Sequence, residues 1–486
     1  MRNLLAGGFC VASTALYGIL SLPLAVAFLG KEELGLWNLV TQTTGYLLWL
    51  DLGVAGMAGR TLAEPFHRGE QQGIDSAWSS LQALLCSQAA IVVAVGLALL
   101  PFFQRFFQIP PSLADDAAFL FIGTLLLSAA SLPLRAAAGV FLCQNRFHWA
   151  SITQGVVPWF NLLVFWLLLE TGHGVRSFVA ALAAVTLLQW IWIGRLLSRG
   201  AQPPRFRPRL VRSNEIRRTL SFSSSMILWG IAPVALAGLP AVVLGRQMGL
   251  DQVSIYHVTS RIPVMLASLA GRTYHAFYPA LQKAFVAGER SRFRHLFRFS
   301  TCLAAWVTGA CLLAACLGNR HLVAWLAEPD FYGGTSLTLW ICIGLFVMAF
   351  AEQAGTLFHC SGKPRLVSPV LALEIAATAA AAFLLSPRLG PVGIAVALAL
   401  TPLLIRLPYF TIHGPRSCGF RIAELCGPAA LAATSMTLGA AGIALAMMTT
   451  WPHFVPALLG LLALVFGAFS VRKGLESFRN IRPTLG

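Results

Sequence analysis

Apolar runs of about 20 residues, each long enough to cross a bilayer as a helix, follow one another along the chain between short polar breaks. The runs predict fourteen helices, near 4–29, 34–60, 76–101, 117–142, 148–170, 175–197, 220–244, 253–280, 297–317, 335–358, 365–386, 392–412, 426–448 and 454–471. The first follows Met1-Arg2-Asn3 and ends in Ala25-Val26-Ala27, which mimics a cleaved secretory signal. Such a signal carries roughly 7 to 15 apolar residues, so the longer run predicts a retained span. The expected fold class is an all-α polytopic membrane protein.

Composition agrees: 57% of the 486 residues are hydrophobic and 11% charged, with mean hydropathy +0.73, against roughly 25% charged in a soluble domain. The formal charge of +17 would suit nucleic acid if the basic residues shared one soluble face. They punctuate apolar spans instead, so no nucleic-acid partner is expected. Most lie at the N-terminus and in 199-RGAQPPRFRPRLVRSNEIRR-218, 283-KAFVAGERSRFRHLFR-298, 363-KPR-365 and 472-RKGLESFRNIR-482. The positive-inside rule then places both termini in the cytoplasm of a multi-pass inner-membrane protein. The segment 199–218 suits a topogenic linker beside anionic lipid headgroups.

Ten cysteines are scattered without a CxxC pair, so neither a disulfide framework nor a metal site is expected. There is no GxxxxGK[ST] phosphate loop and no nucleophile–base arrangement. The outer loops are too short for the catalytic loop of a glycan polymerase or ligase. Neither enzymatic chemistry nor a cofactor is expected.

The second helix lies on the eighth at an offset that aligns 34-LGLW-37 with 253-VSIY-256, and Phe66, Gly69 and Glu70 with Phe285, Gly288 and Glu289. A nearby offset aligns 141-FLCQNRF-147 with 358-FHCSGKP-364. Helices six apart run in the same direction, so the repeats would be related by an axis along the membrane normal. The expected organisation is an N-terminal lobe at 1–198, a basic linker at 199–219, a C-terminal lobe at 220–413, and two further helices with a basic tail at 414–486.

The stretch 30-GKEELGLWNLVTQTTGYLLWLDLGVAGMAGR-60 resembles the start of the oligosaccharide flippase family of the multidrug/oligosaccharidyl-lipid/polysaccharide exporter superfamily. The resemblance is carried by Gly30, Gly35-Leu36-Trp37, Tyr46, Leu50-Asp51-Leu52-Gly53 and Arg60. It implies a two-lobed, alternating-access transporter that moves polyprenyl-pyrophosphate-linked oligosaccharide from the cytoplasmic to the outer leaflet for polysaccharide or lipopolysaccharide biosynthesis. Membrane lipids, H+ or Na+, and glycan-assembly proteins are the implied partners. Lipid II flippases resemble the chain less, because residues 4–29 lack the arginine of their first helix. The competing readings are an ion-coupled multidrug exporter, whose cavity should be acidic or aromatic, and a glycan polymerase or ligase.

A flippase needs cations for pyrophosphate and polar groups for sugar hydroxyls. On the eighth predicted helix, Ser254, His257, Arg261, Ser268, Arg272 and His275 lie within about 40° of one line at about 100° per residue. Two arginines facing lipid would cost about 5 to 7 kcal/mol together, which favours a hydrated orientation. Guanidinium also binds phosphate bidentately. Snorkelling to the two interfaces is the bland alternative for the arginines, and a satisfied structural role for the histidines.

The repeat places Arg135 and Glu352 at equivalent positions, which suggests either a mutual pair broken as the lobes rock or two independent pairs. Asp51, Glu352 and an isolated Glu374 are candidates for gating or ion coupling. Arg60 and Arg406 read as anchors at helix ends.

Overall fold

The computed structural model describes residues 2–48, 54–223, 227–422 and 424–425, which are helical almost throughout and contain no β-strand. The chain forms two compact units, Met1–Ile255 and Tyr256–Gly486. In the first lie α1 (Arg2–Phe28), α2 (Lys31–Leu47), α3 (Val54–Arg68), α4 (Gln71–Phe106), α5 (Ala114–Arg135), α6 (Ala137–Cys143), α7 (Phe147–Glu170), α8 (Ser177–Ser198), α9 (Ser213–Ser223) and α10 (Ile227–Gln247). The boundary falls inside α11 (Leu250–His275). The second unit continues with α12 (Tyr278–Val286), α13 (Arg290–Leu326), α14 (Thr335–Cys360), α15 (Ser368–Leu389), α16 (Pro391–Thr401) and α17 (Leu407–Ser417). A five-residue π-helical turn, Pro402–Arg406, joins α16 to α17. The helices expected at 426–448 and 454–471, and the tail, lie outside the described residues.

Among the described residues, ten helices are long and apolar enough to cross a membrane. α11 is not one of them, although its 26 residues would reach about 39 Å. Its arginines, histidines and serines lower its hydropathy rather than its length. Several expected spans are broken: 117–142 turns at Ala136 between α5 and α6, and 253–280 ends at His275 before α12.

The residues that carry the family resemblance have packing tasks in the first unit. The Gly30 N–H donates to Glu33 Oε2 at 3.0 Å, closing the start of α2. Gly35 lets α2 press against the backbone of Leu250, where a Cβ would overlap the Leu250 carbonyl. Trp37 stacks on Phe178 of α8 with ring centroids 3.9 Å apart and planes 8° apart. The Tyr46 hydroxyl donates to the Ala235 carbonyl of α10 at 2.9 Å. Asp51 lies outside the described residues.

The internal repeat is visible in two pairs of turns. After α3 and after α12, a glycine takes a left-handed conformation (Gly69, φ 68°; Gly288, φ 71°) and a glutamate, Glu70 or Glu289, precedes the next long helix. After α6 and α14, the left-handed residues are Asn145 (φ 55°) and Gly362 (φ 69°). There Arg146 N–H reaches the Phe141 carbonyl at 2.7 Å and Lys363 N–H the Phe358 carbonyl at 3.0 Å. This is the same helix-closing motif built twice.

The basic segment after α8 is docked along its length. Its backbone crosses the first turns of α4, where Asp75, Ser76, Ser79 and Ser80 are all buried. Arg205 N–H donates to Asp75 Oδ1 at 3.0 Å, Arg207 N–H to Ser79 Oγ at 2.8 Å and Arg212 N–H to Ser80 Oγ at 3.0 Å. Ser76 Oγ donates to the Leu210 carbonyl at 3.0 Å. A mostly extended segment makes few internal backbone bonds, and this polar row satisfies its backbone instead.

Replacing Gly35 with alanine should lower the apparent Tm by an amount equivalent to about 1–3 kcal/mol, the usual cost of overpacking. Gly30→Ala, where a Cβ would meet nothing nearer than the Glu33 carboxylate at 4.0 Å, should leave it nearly unchanged. Thermal unfolding of the purified protein in detergent compares the two, and equal midpoints would remove the close approach as the role of Gly35.

Candidate functional site

The polar face of α11 divides into a packed half and an open half. Ser254 is fully buried, and its hydroxyl donates to the Asp251 carbonyl one turn back at 2.9 Å. Sequence periodicity grouped it with the ligand-facing residues; burial makes it a packing residue. His257 and Arg261 are half-buried and lie against each other, with Arg261 Nη1 3.2 Å from His257 Nε2. The arginine donates to the imidazole and orients it. Farther along, Ser268, Arg272 and His275 are exposed. Ser268 Oγ donates to the Val264 carbonyl at 2.8 Å, a short-range bond that leaves its lone pairs free to accept.

α11 is held in place through a proline. Pro263 has no N–H, so the Thr259 carbonyl four residues earlier loses its helical donor. Asn319 of α13 supplies a replacement, its Nδ2 donating to that carbonyl at 2.9 Å and to Thr338 Oγ1 of α14 at 3.1 Å. Asn319 is completely buried. Sequence reasoning missed it, because Asn319 lies just past the predicted span 297–317 in the polar stretch 318-GNRH-321.

Glu352 of α14 faces the open end of α11. Its Oε2 lies 3.7 Å from His275 Nε2, with the two side chains 39% and 49% exposed. An anion, an imidazole and Arg272 thus lie within one accessible region of the second unit. Arg135, at the last residue of α5 in the first unit, is exposed.

Glu374 is not isolated. Its Oε2 pairs with Arg406 Nε at 2.5 Å, and both side chains are buried. Arg406 closes the π-helical turn after Pro402; it is a buried counter-ion rather than the helix-end anchor its sequence position suggested. Its Nη1 also lies 3.4 Å from Met348 Sδ. Thr378, one turn from Glu374, shares a 2.6 Å hydrogen bond with Thr401. Glu374 Oε1 and Arg406 Nη2 lack hydrogen-bond partners among the described residues. The pair escaped the sequence reading because its members lie on different helices and each was judged by its own surroundings.

Removing one member of such a pair strands a buried charge. Arg406→Leu should therefore destabilise the protein by about 3–5 kcal/mol, and adding Glu374→Leu should recover most of the loss. Apparent unfolding midpoints of the single and double variants measure this. Additive losses would show that the two side chains do not act as a pair.

No family model matches the chain, and no curated protein matches it. Solved structures do. An inward-facing multidrug resistance MATE family transporter of the MOP superfamily superposes with TM-score 0.68 at 13% identity, covering 83% of this chain and 95% of that one. Lipid II flippase MurJ in an inward closed conformation covers 99% of both chains, with TM-score 0.62 and 14% identity. A MOP superfamily transporter from Pyrococcus furiosus, described by a reverse polarity of its binding pocket that suggests a different function, gives TM-score 0.61 at 14% identity over 86% of this chain and 95% of that one. The chain therefore has the two-lobed, all-helical fold shared by the MATE and MurJ transporters of the MOP superfamily.

Proposed function

We propose that the protein is a flippase that carries polyprenyl-pyrophosphate-linked oligosaccharide between leaflets by alternating access. The observation that carries this reading is the open half of α11. A helix long enough to span presents Ser268, Arg272 and His275 outward, with Arg261 and His257 farther back on the same helix. Arginine and histidine supply charge-assisted donors for pyrophosphate, and hydroxyls suit sugars. Arg135 of the first unit joins this substrate-binding set in the proposal.

Glu352, already beside His275, is proposed to compete with the anionic substrate for that imidazole and so to couple release to H+ or Na+. Asp51 serves as a second gating carboxylate, and Glu374 acts by exchanging its Arg406 partner as the second unit changes shape. The protein works in the inner membrane with both termini in the cytoplasm, the orientation the arginine distribution favours. Its lobes are 1–198 and 220–413, and glycan-assembly enzymes supply and consume its cargo.

An ion-coupled multidrug exporter is the competing reading, favoured by likeness to transporters such as the MATE multidrug transporter DinF-BH (TM-score 0.62, 16% identity, 85% of this chain and 93% of that one). Exposed Arg272 weighs against it, because its positive charge repels cationic drugs.

In proteoliposomes, Arg261→Ala with Arg272→Ala should slow flipping of a fluorescent lipid-linked oligosaccharide about 100-fold or more, since charge-assisted hydrogen bonds contribute about 1.5–3 kcal/mol each. Asp51→Asn should slow cycling without weakening binding. Efflux of a cationic dye by the wild type, with no oligosaccharide flipping, would overturn the proposal in favour of the exporter.

A further inference from the structure

The segment docked on α4 combines a fixed backbone with outward cations. Its anchors on the α4 serines and on Asp75 Oδ1 are backbone atoms: the N–H groups of Arg205, Arg207 and Arg212 and the carbonyl of Leu210. The side chains of Arg205, Arg207, Arg209 and Arg212 remain exposed. Of these, Arg207 turns one atom back, its Nε 3.3 Å from the buried Asp75 Oδ2. Phe206, between two arginines, is 54% exposed.

The level of the strap follows from its partner helix. It crosses α4 at Asp75–Ser80, the polar first turns of a membrane-length helix whose unbroken apolar run begins at Ala89. α8, another membrane-length helix, ends at Ser198, a few residues before the strap begins. Arg205, Arg209 and Arg212 are thereby held at the polar ends of two membrane-length helices, α4 and α8. The acids beside the strap are fewer than its arginines: Asp75 is taken up by the strap backbone and Arg207, which leaves Glu70 and Glu215 against Arg205, Arg209 and Arg212.

We propose that this strap is a preformed binding surface for the headgroups of anionic phospholipids. Arg205, Arg209 and Arg212 engage the phosphates, and Phe206 enters the interfacial layer. Hydrogen bonding to α4 fixes the spacing of the arginines before lipid arrives, which removes the ordering cost that a flexible basic loop would meet on binding. Guanidinium groups suit phosphodiester oxygens better than ammonium groups do, because their donors are planar and paired. The inference concerns a surface of the first unit and stands whatever the cargo.

The test is lipid retention by the full-length protein in nanodiscs of equimolar phosphatidylglycerol and phosphatidylcholine, followed by mass spectrometry of bound lipid. Wild type should retain phosphatidylglycerol preferentially. Arg205→Gln with Arg209→Gln and Arg212→Gln should lower that preference about 100-fold at low salt, given the usual contribution of each arginine near an anionic surface. Arg207 is kept because it holds Asp75. The wild type alone gives a second readout, since its preference should collapse when salt shortens the Debye length to about 3 Å. Equal retention of both lipids by the wild type, or a triple variant with unchanged preference, would overturn the proposal. So would displacement of phosphatidylglycerol by inorganic phosphate, which assigns a soluble-anion site, or by polyglutamate, which assigns an acidic protein partner.

Discussion

Inside a bilayer there is no water to accept a hydrogen bond that the protein leaves unmade, so each broken helical bond and each charge must find a protein partner or a hydrated opening. The arrangement within each unit follows from this. Pro263 breaks the helical ladder of α11, and Asn319 of α13 reaches across to the Thr259 carbonyl that the proline leaves without a donor. Glu374 and Arg406 would each be costly alone, and they are buried together. Outside the apolar spans, the strap after α8 has little secondary structure of its own, and a row of serines and one aspartate on α4 bonds its backbone instead.

The same constraint separates two classes of intramembrane polar residue. Ser254, Asn319 and Glu374 are buried and have local or cross-helix partners. Ser268, Arg272 and His275 are exposed on a helix too polar to be a plain membrane span. These exposed groups, rather than the buried ones, are the residues to which the proposed substrate role is assigned. The Glu352 carboxylate lies 3.7 Å from the His275 imidazole at the same end of α11.

Four residues of the motif that carried the family resemblance have packing roles within the first unit. Gly30, Gly35, Trp37 and Tyr46 cap a helix, permit a close backbone approach, stack on α8 and bond to α10. Their recurrence at fixed spacing needs no contact with cargo to explain it. The repeat behaves similarly: Gly69 and Gly288, and Asn145 and Gly362, recur because left-handed turns closing equivalent helices require residues that tolerate positive φ.

Hydropathy and residue matches along the chain determined most of the spans, the polar character of α11 and the internal repeat, because each is carried by short stretches of sequence. They did not reveal that Ser254 is buried while Arg272 is open, that Arg406 belongs to Glu374, or that the basic linker is strapped to Asp75–Ser80. Those outcomes depend on the rotation and depth of one helix against another. A spacing of about 100° per residue shows which side chains share a face; the packing of neighbouring helices decides whether that face meets protein or an opening, and so which charges are structural and which can bind.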